Sequence, residues 1–213
     1  VTATATTEAT TIAVGIGAEG IPAGVPEGDI LSFENLASAG VSLSSEATGI
    51  DSGTGDDEIT NQGKIIADAS ATSWGGSLSL SLPLLEKIVP FPSPAFAMIS
   101  AGTEVDSEAT GIQAGEGDDL IRNEGDLDID ASSSALNVAA SMAFQGFVSE
   151  IETIDIAAAR VDALTEVDAA AVGIDGGEGN DRIINSGDIT VDAASEALSV
   201  GAAVAIQKKV KEA

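Results

Sequence analysis

Cysteine, histidine and tyrosine are all absent from this 213-residue chain. Without cysteine there is no disulfide framework and no thiolate metal site. Without histidine there is no Ser-His-Asp triad, and both the usual general base and the commonest transition-metal ligand are missing. Aromatic residues make up only 3% of the chain, with Trp74 the single tryptophan, although hydrophobic residues reach 44%. Packing therefore falls to Ala, Val, Ile, Leu and Gly, which suit thin, regular, stacked layers better than a thick globular core. Basic residues are scarce as well: 8 Lys and Arg stand against 35 Asp and Glu, for a net charge of −27. Such a chain repels nucleic acid and anionic membranes, and it repels itself when compact. Divalent cations are the expected neutralising partner. No run approaches the ~18 apolar residues of a membrane span, so membrane insertion is not expected. No signal peptide is visible at Val1, so the expectation is a cytoplasmic chain or a product matured by cleavage.

What the chain does contain is a repeat. A ten-residue pattern recurs as TEATTIAVGI (7–16), VSLSSEATGI (41–50), TEVDSEATGI (103–112) and TEVDAAAVGI (165–174). The last three copies are spaced by 62 residues, at Gly49, Gly111 and Gly173, and the following 21 residues of each align without a gap. The first copy lies closer to its neighbour and continues without a doubled Asp, as a degenerate terminal repeat would. The expected organisation is one continuous domain: a cap copy over 1–40, repeats over 41–102 and 103–164, and an incomplete repeat over 165–213.

Within a repeat the texture is β. LDIDA and ITVDA alternate, as do SLSLSL and the initial TATAT, and Gly-Asp and Asn-x-Gly turns punctuate them. The turns at Asn61, Asn123 and Asn185 predict a ladder of stacked Asn side chains, with Gly63, Gly125 and Gly187 permitting positive φ. Residues 148–164 place Val148, Ile151, Ile154, Ala158, Val161 and Leu164 at helical spacing, whereas the equivalent stretch carries Pro90, Pro92 and Pro94. That region is taken as the variable connection of each repeat. The fold class expected is all-β: an elongated, parallel β-solenoid or β-roll-like repeat protein.

The Gly-Asp segments carry the chemistry. Gly176-Gly177-Glu178-Gly179-Asn180-Asp181-Arg182-Ile183-Ile184 matches the nonapeptide G-G-x-G-x-D-x-U-x at every fixed position, U being a large aliphatic. The other copies, around Gly53, Gly55, Asp56, Asp57 and around Gly115, Gly117, Asp118, Asp119, each lose one glycine. These residues resemble the RTX, or haemolysin-type, calcium-binding repeat family, over about nine residues once per repeat instead of in tandem. The resemblance implies a parallel β-roll in which Asp57, Asp119 and Asp181 supply carboxylates and Ile59, Ile121 and Ile183 anchor the core. Independently of the family, Ca²⁺ seeks six to eight oxygens, and a glycine-rich turn lets backbone carbonyls curve around an ion. Asp56, Asp118 and Asn180, with Asp51 or Asp175, would add oxygens. If each repeat forms one layer, the three loops lie ~4.8 Å apart and share ions; if it winds three times, they lie ~14 Å apart.

Acids repeated in every copy point to a repeated structural role, not to a singular active site, and no catalytic constellation surrounds Trp74, Lys87 or Arg160. The function expected is therefore non-enzymatic. The chain reads as a secreted calcium-binding structural protein of the cell surface or an extracellular filament, able to assemble with itself head to tail. The alternative is an adhesin, or a repeat segment of a larger secreted RTX-like protein that binds a carbohydrate or protein. Lys208, Lys209 and Lys211 form a basic end that would favour head-to-tail addition.

Overall fold

The structure, a computed structural model, describes residues 1–19, 33–83, 95–147 and 157–209. All regular structure among them is strand, and no helix there is long and apolar enough to cross a membrane. Long strands alternate with short ones: β1 (Thr2–Glu19), β2 (Phe33–Asp51), β3 (Glu58–Asn61), β4 (Ile65–Pro83), β5 (Ala95–Gln113), β6 (Leu120–Asn123), β7 (Leu127–Phe147), β8 (Ala157–Asp175), β9 (Arg182–Asn185) and β10 (Ile189–Lys209). They form three parallel sheets, ordered β1-β4-β7-β10, β2-β5-β8 and β3-β6-β9. Each full repeat lays one strand into each sheet, and like pairs with like: Ile65 with Leu127 and Leu127 with Ile189, at the 62-residue spacing of the sequence.

Two sequence expectations change here. The segment TEATTIAVGI pairs along β4, Thr7 with Ala71 and Gly15 with Ser79, and not beside the EATGI segment that it resembles. Length explains this. Only residues 20–32 separate β1 from β2, too few for a Gly-Asp loop, a short strand and a second long strand, so β1 can only take the place of the strand that closes a layer. The region 148–164, read from the sequence as a variable connection, is strand over its described part. Ala158, Val161 and Leu164 lie on β8, paired with Phe96, Ile99 and Gly102 of β5. A waiting parallel ladder outweighs the weak local propensity. Val148, Ile151 and Ile154 fall outside the described residues, as do Pro90, Pro92 and Pro94.

The two large sheets face each other, with β5 lying against both β4 and β7. At the loop end the short sheet joins them, and Ile59, Ile65, Ile112, Ile121, Leu127 and Ile129 form the thick part of the core. Further along the strands small residues, including Ala97, Ala101, Ala139 and Ser141, make up most of the interior, with Ile99 and Val105 the larger side chains buried among them. Here serine hydroxyls cross from one sheet to main-chain carbonyls of the other: Ser141 to Ala97 at 2.7 Å, Ser107 to Ser132 at 2.8 Å and Ser45 to Ala5 at 3.0 Å. A side chain that short spans the gap only where the sheets lie closer than the usual ~10 Å. The scarcity of aromatic residues thus follows from the geometry.

At the Asn-x-Gly turns the expected ladder is present. Asn61 Nδ2 donates to Asn123 Oδ1, and Asn123 Nδ2 to Asn185 Oδ1, each at 2.7 Å. Asn123 is fully buried and also donates to the Gly125 carbonyl at 2.8 Å. The glycines of these turns serve a different purpose from the one expected. None of Gly63, Gly125 and Gly187 has positive φ. A Cβ on Gly125 would instead collide with the carbonyl of Gly63 in the layer beside it, whereas a Cβ on Gly63 would meet nothing.

That asymmetry gives a matched pair of tests. Gly125→Ala is expected to lower stability by more than about 2 kcal/mol, and Gly63→Ala by less than about 1, in denaturant melts of the two variants. Asn123→Ala leaves the Asn61 amide donor and the Asn185 amide oxygen unpaired, and the same melts should show a loss of about 2–4 kcal/mol.

Candidate metal centre

The three Gly-Asp loops lie directly beside one another. Thr54 bridges to Glu116 and Glu116 to Glu178, so the loops are one strand spacing apart. The main chain knits them: Gly55 N donates to Glu116 O at 2.7 Å, and Glu116 N to Gly53 O at 3.0 Å. Six glycines hold φ between +83° and +142°: Gly53, Gly55, Gly115, Gly117, Gly177 and Gly179. These are the second and third glycines of the nonapeptide. The first, Gly176, is not among them, so Ser52 and Ala114 can replace it in the other copies. Asp51 and Asp175 brace the turns, each accepting from the amide two residues on, Gly53 at 3.1 Å and Gly177 at 3.0 Å.

The paired acids run two opposed ladders. In the inner one, Asp57 N donates to Asp119 Oδ1 at 2.7 Å and Asp119 N to Asp181 Oδ1 at 3.0 Å. In the outer one, Asp118 N donates to Asp56 Oδ1 at 2.9 Å, and both the amide and Nδ2 of Asn180 donate to Asp118 Oδ1, at 3.0 and 3.1 Å. One oxygen each of Asp119, Asp181, Asp56 and Asp118 therefore serves the stack itself. The second oxygen differs between the ladders. Asp57 Oδ2 and Asp119 Oδ2 are buried with no hydrogen-bond partner, and Asp119 as a whole is 2% exposed. A buried carboxylate oxygen without a partner is costly, and a cation is the partner that its charge calls for.

Of the twelve expected ligand residues, the structure brings all into the stacked loops, but not into one cage. Among the described residues no three acidic side chains converge as a metal-binding group. Asp57 and Asp119 fit a cation by their unpartnered oxygens. Asp56 and Asp118 stand on the exposed side of the same turns, and the glycines supply the shape. The aliphatic anchors divide by position: Ile59 and Ile121 are buried, whereas Ile183, in the last layer, is 48% exposed.

A second acidic ladder escaped the sequence reading. Asp68, Asp130 and Asp192 pair in register on the outer face of the four-stranded sheet, with Thr4 beside Asp68 at its edge. The signal was there, since the three aspartates recur at the repeat spacing. Strand alternation alone does not say that they share an outer face. Partial desolvation against the sheet, then the carboxylates of Asp192, Asp68 and Asp128, push Asp130 above the usual carboxylate range. Lys64 engages Asp128 at 2.8 Å and does not neutralise the ladder itself.

No protein-family model, curated protein or solved structure matches the chain.

The raised Asp130 value has a definite sign for stability. Between the ordinary carboxylate value and the raised one, the folded state holds a proton that the unfolded state has released. Stability is therefore gained as pH falls through that window and lost as pH rises out of it. Asp130→Asn should raise the Tm at pH 7 and flatten the rise in Tm on mild acidification. A variant whose pH profile overlays the parent's would refute this account of the ladder.

Proposed function

We propose that the protein is a secreted, calcium-binding β-repeat structural protein of the cell surface or an extracellular filament, built as a parallel β-solenoid with one turn per 62-residue repeat. The observation that carries this reading is the pair of buried, unpartnered carboxylate oxygens, Asp57 Oδ2 and Asp119 Oδ2, in stacked glycine-rich turns. Calcium would be held by Asp57 and Asp119 with Asp56 and Asp118 nearby, and it would supply positive charge where carboxylates stack. Sites with so few converging acids bind weakly, and weak sites suit the millimolar calcium found outside cells. On this reading the acidic chain orders where calcium is abundant, with no catalytic role.

Head-to-tail assembly forms part of the proposal. The last layer, β8, β9 and β10, has one edge of each strand without a neighbour among the described residues. Side chains there stand half exposed where their counterparts are buried: Ile189 against Leu127, and Val191 against Ile129. An edge of this kind recruits a further layer, from another copy or from further repeats of a longer chain.

The test is a thermal melt by circular dichroism in millimolar Ca²⁺, in Mg²⁺ and in EDTA. Calcium at about tenfold excess over its Kd would add about 1.4 kcal/mol per site, or roughly 3–6 °C in Tm, with little effect of Mg²⁺. Asp119→Asn keeps the acceptor for the Asp57 amide but removes the charge. It should retain the fold in EDTA and lose most of the calcium increment. Identical melts in all three buffers would reduce the loops to turns.

A further inference from the structure

The outer face of the four-stranded sheet is inverted over the distal halves of its strands, away from the Gly-Asp loops. A sheet with one wet face normally alternates apolar inward and polar outward. On β4 the buried positions are instead Ser73, Ser77, Ser79 and Ser81, and on β7 they include Asn137 and Ser141. The outward positions between them hold Trp74, Leu78 and Leu80 on β4, and Leu136, Val138 and Met142 on β7. β10 continues the face with Leu198, Val200 and Val204, and β1 with Ile12, Val14 and Ile16. In-register pairing sets these in rows: Trp74 beside Leu136 and Leu198, and Ile16 beside Leu80, Met142 and Val204. The thin interior accounts for the small residues inside. Among the described residues nothing covers the large apolar residues outside: Trp74 is 58%, Val138 43% and Leu78 36% exposed.

We infer that this face is an interface between two copies of the chain, packed sheet on sheet about a two-fold axis with their strands antiparallel and their distal halves overlapping. Among the described residues the patch contains no charged side chain. Four strands ~4.8 Å apart and four to five outward positions ~6.7 Å apart make it on the order of 500 Å². Two such faces bury about 1,000 Å², the lower bound of a specific interface, and each added repeat enlarges the patch. Charge selects the orientation. The proximal half of the same outer face carries the Asp68-Asp130-Asp192 ladder with Glu8 and Glu196. A parallel pairing would set these acids against their own copies. The antiparallel overlap sends the two acidic halves out at opposite ends, and a two-fold axis makes the patch its own complement. A net charge of −27 disfavours an anionic membrane as the occupant, and it allows two copies to pair only where their acidic halves are kept apart. This interface lies on a face of the stack, not at its ends, and requires no calcium.

Trp74 is the only tryptophan and lies in the patch, so it reports the contact directly. The experiment uses the full chain carrying Ile183→Lys, which charges the open end and suppresses end-to-end addition. Between about 1 and 100 μM, sedimentation should pass from one copy to two, while Trp74 emission shifts to shorter wavelength and acrylamide quenching falls severalfold. Adding Leu78→Asp and Val200→Asp on the outer face should abolish all three changes and leave the circular dichroism unchanged. If that variant loses its β spectrum, Leu198→Asn alone should weaken association at least tenfold. A chain that stays single with constant Trp74 emission overturns the inference. So does a patch variant that associates like its parent, or Trp74 shielding that appears only with zwitterionic phosphatidylcholine vesicles.

Discussion

Parallel stacking in register sets every side chain about one strand spacing from its own counterpart in the next repeat. For amides the arrangement is favourable, because the donor of one Asn meets the acceptor of the next, as in the buried Asn61-Asn123-Asn185 ladder. For aliphatic side chains it is favourable too. For carboxylates it is not: two unit charges ~4.8 Å apart repel by about 1 kcal/mol even in water. In the Gly-Asp loops Asp56, Asp118, Asp119 and Asp181 each give one oxygen to a backbone amide of the neighbouring layer. Asn180 replaces the third acid of the outer ladder, and Lys64 meets Asp128. Asp57 and Asp119 keep a buried oxygen without a hydrogen-bond partner, and the proposed calcium role rests on that remainder.

The second constraint is the spacing between the two large sheets. Where the short third sheet joins them, isoleucine and leucine fill the core; beyond it, serine reaches across to the opposite backbone. Side chains of that size bury little apolar area, so the backbone ladders and the inter-sheet serine bonds hold the distal region. The same narrowing therefore explains why the core is poor in rings.

Much of this was legible beforehand. The 62-residue period, read from Gly49, Gly111 and Gly173, is the stacking period of the strands. Alternation and turn residues marked β-structure, and Asn-x-Gly marked the ladder. The reading of TEATTIAVGI failed because ten similar residues weigh less than the chain length available to follow them. The reading of the stretch around Val161 as a connection failed because its spacing is not strand-like and only the β5 ladder partner reveals the strand. The purpose of Gly125 was hidden, since close approach to a neighbouring carbonyl is a property of two repeats and leaves no mark in one.

By itself the sequence determined the period, the parallel β character and the identity of the residues that stack, because repetition in register is a property of the chain alone. It also determined where the acids recur. Only the tertiary structure decided which face each of them occupies, which carboxylate oxygens are left without a partner, and that the distal strands turn their large side chains outward. Those outcomes depend on the distance between two sheets far apart in sequence. An alternating pattern specifies two faces and does not say which of them is inside.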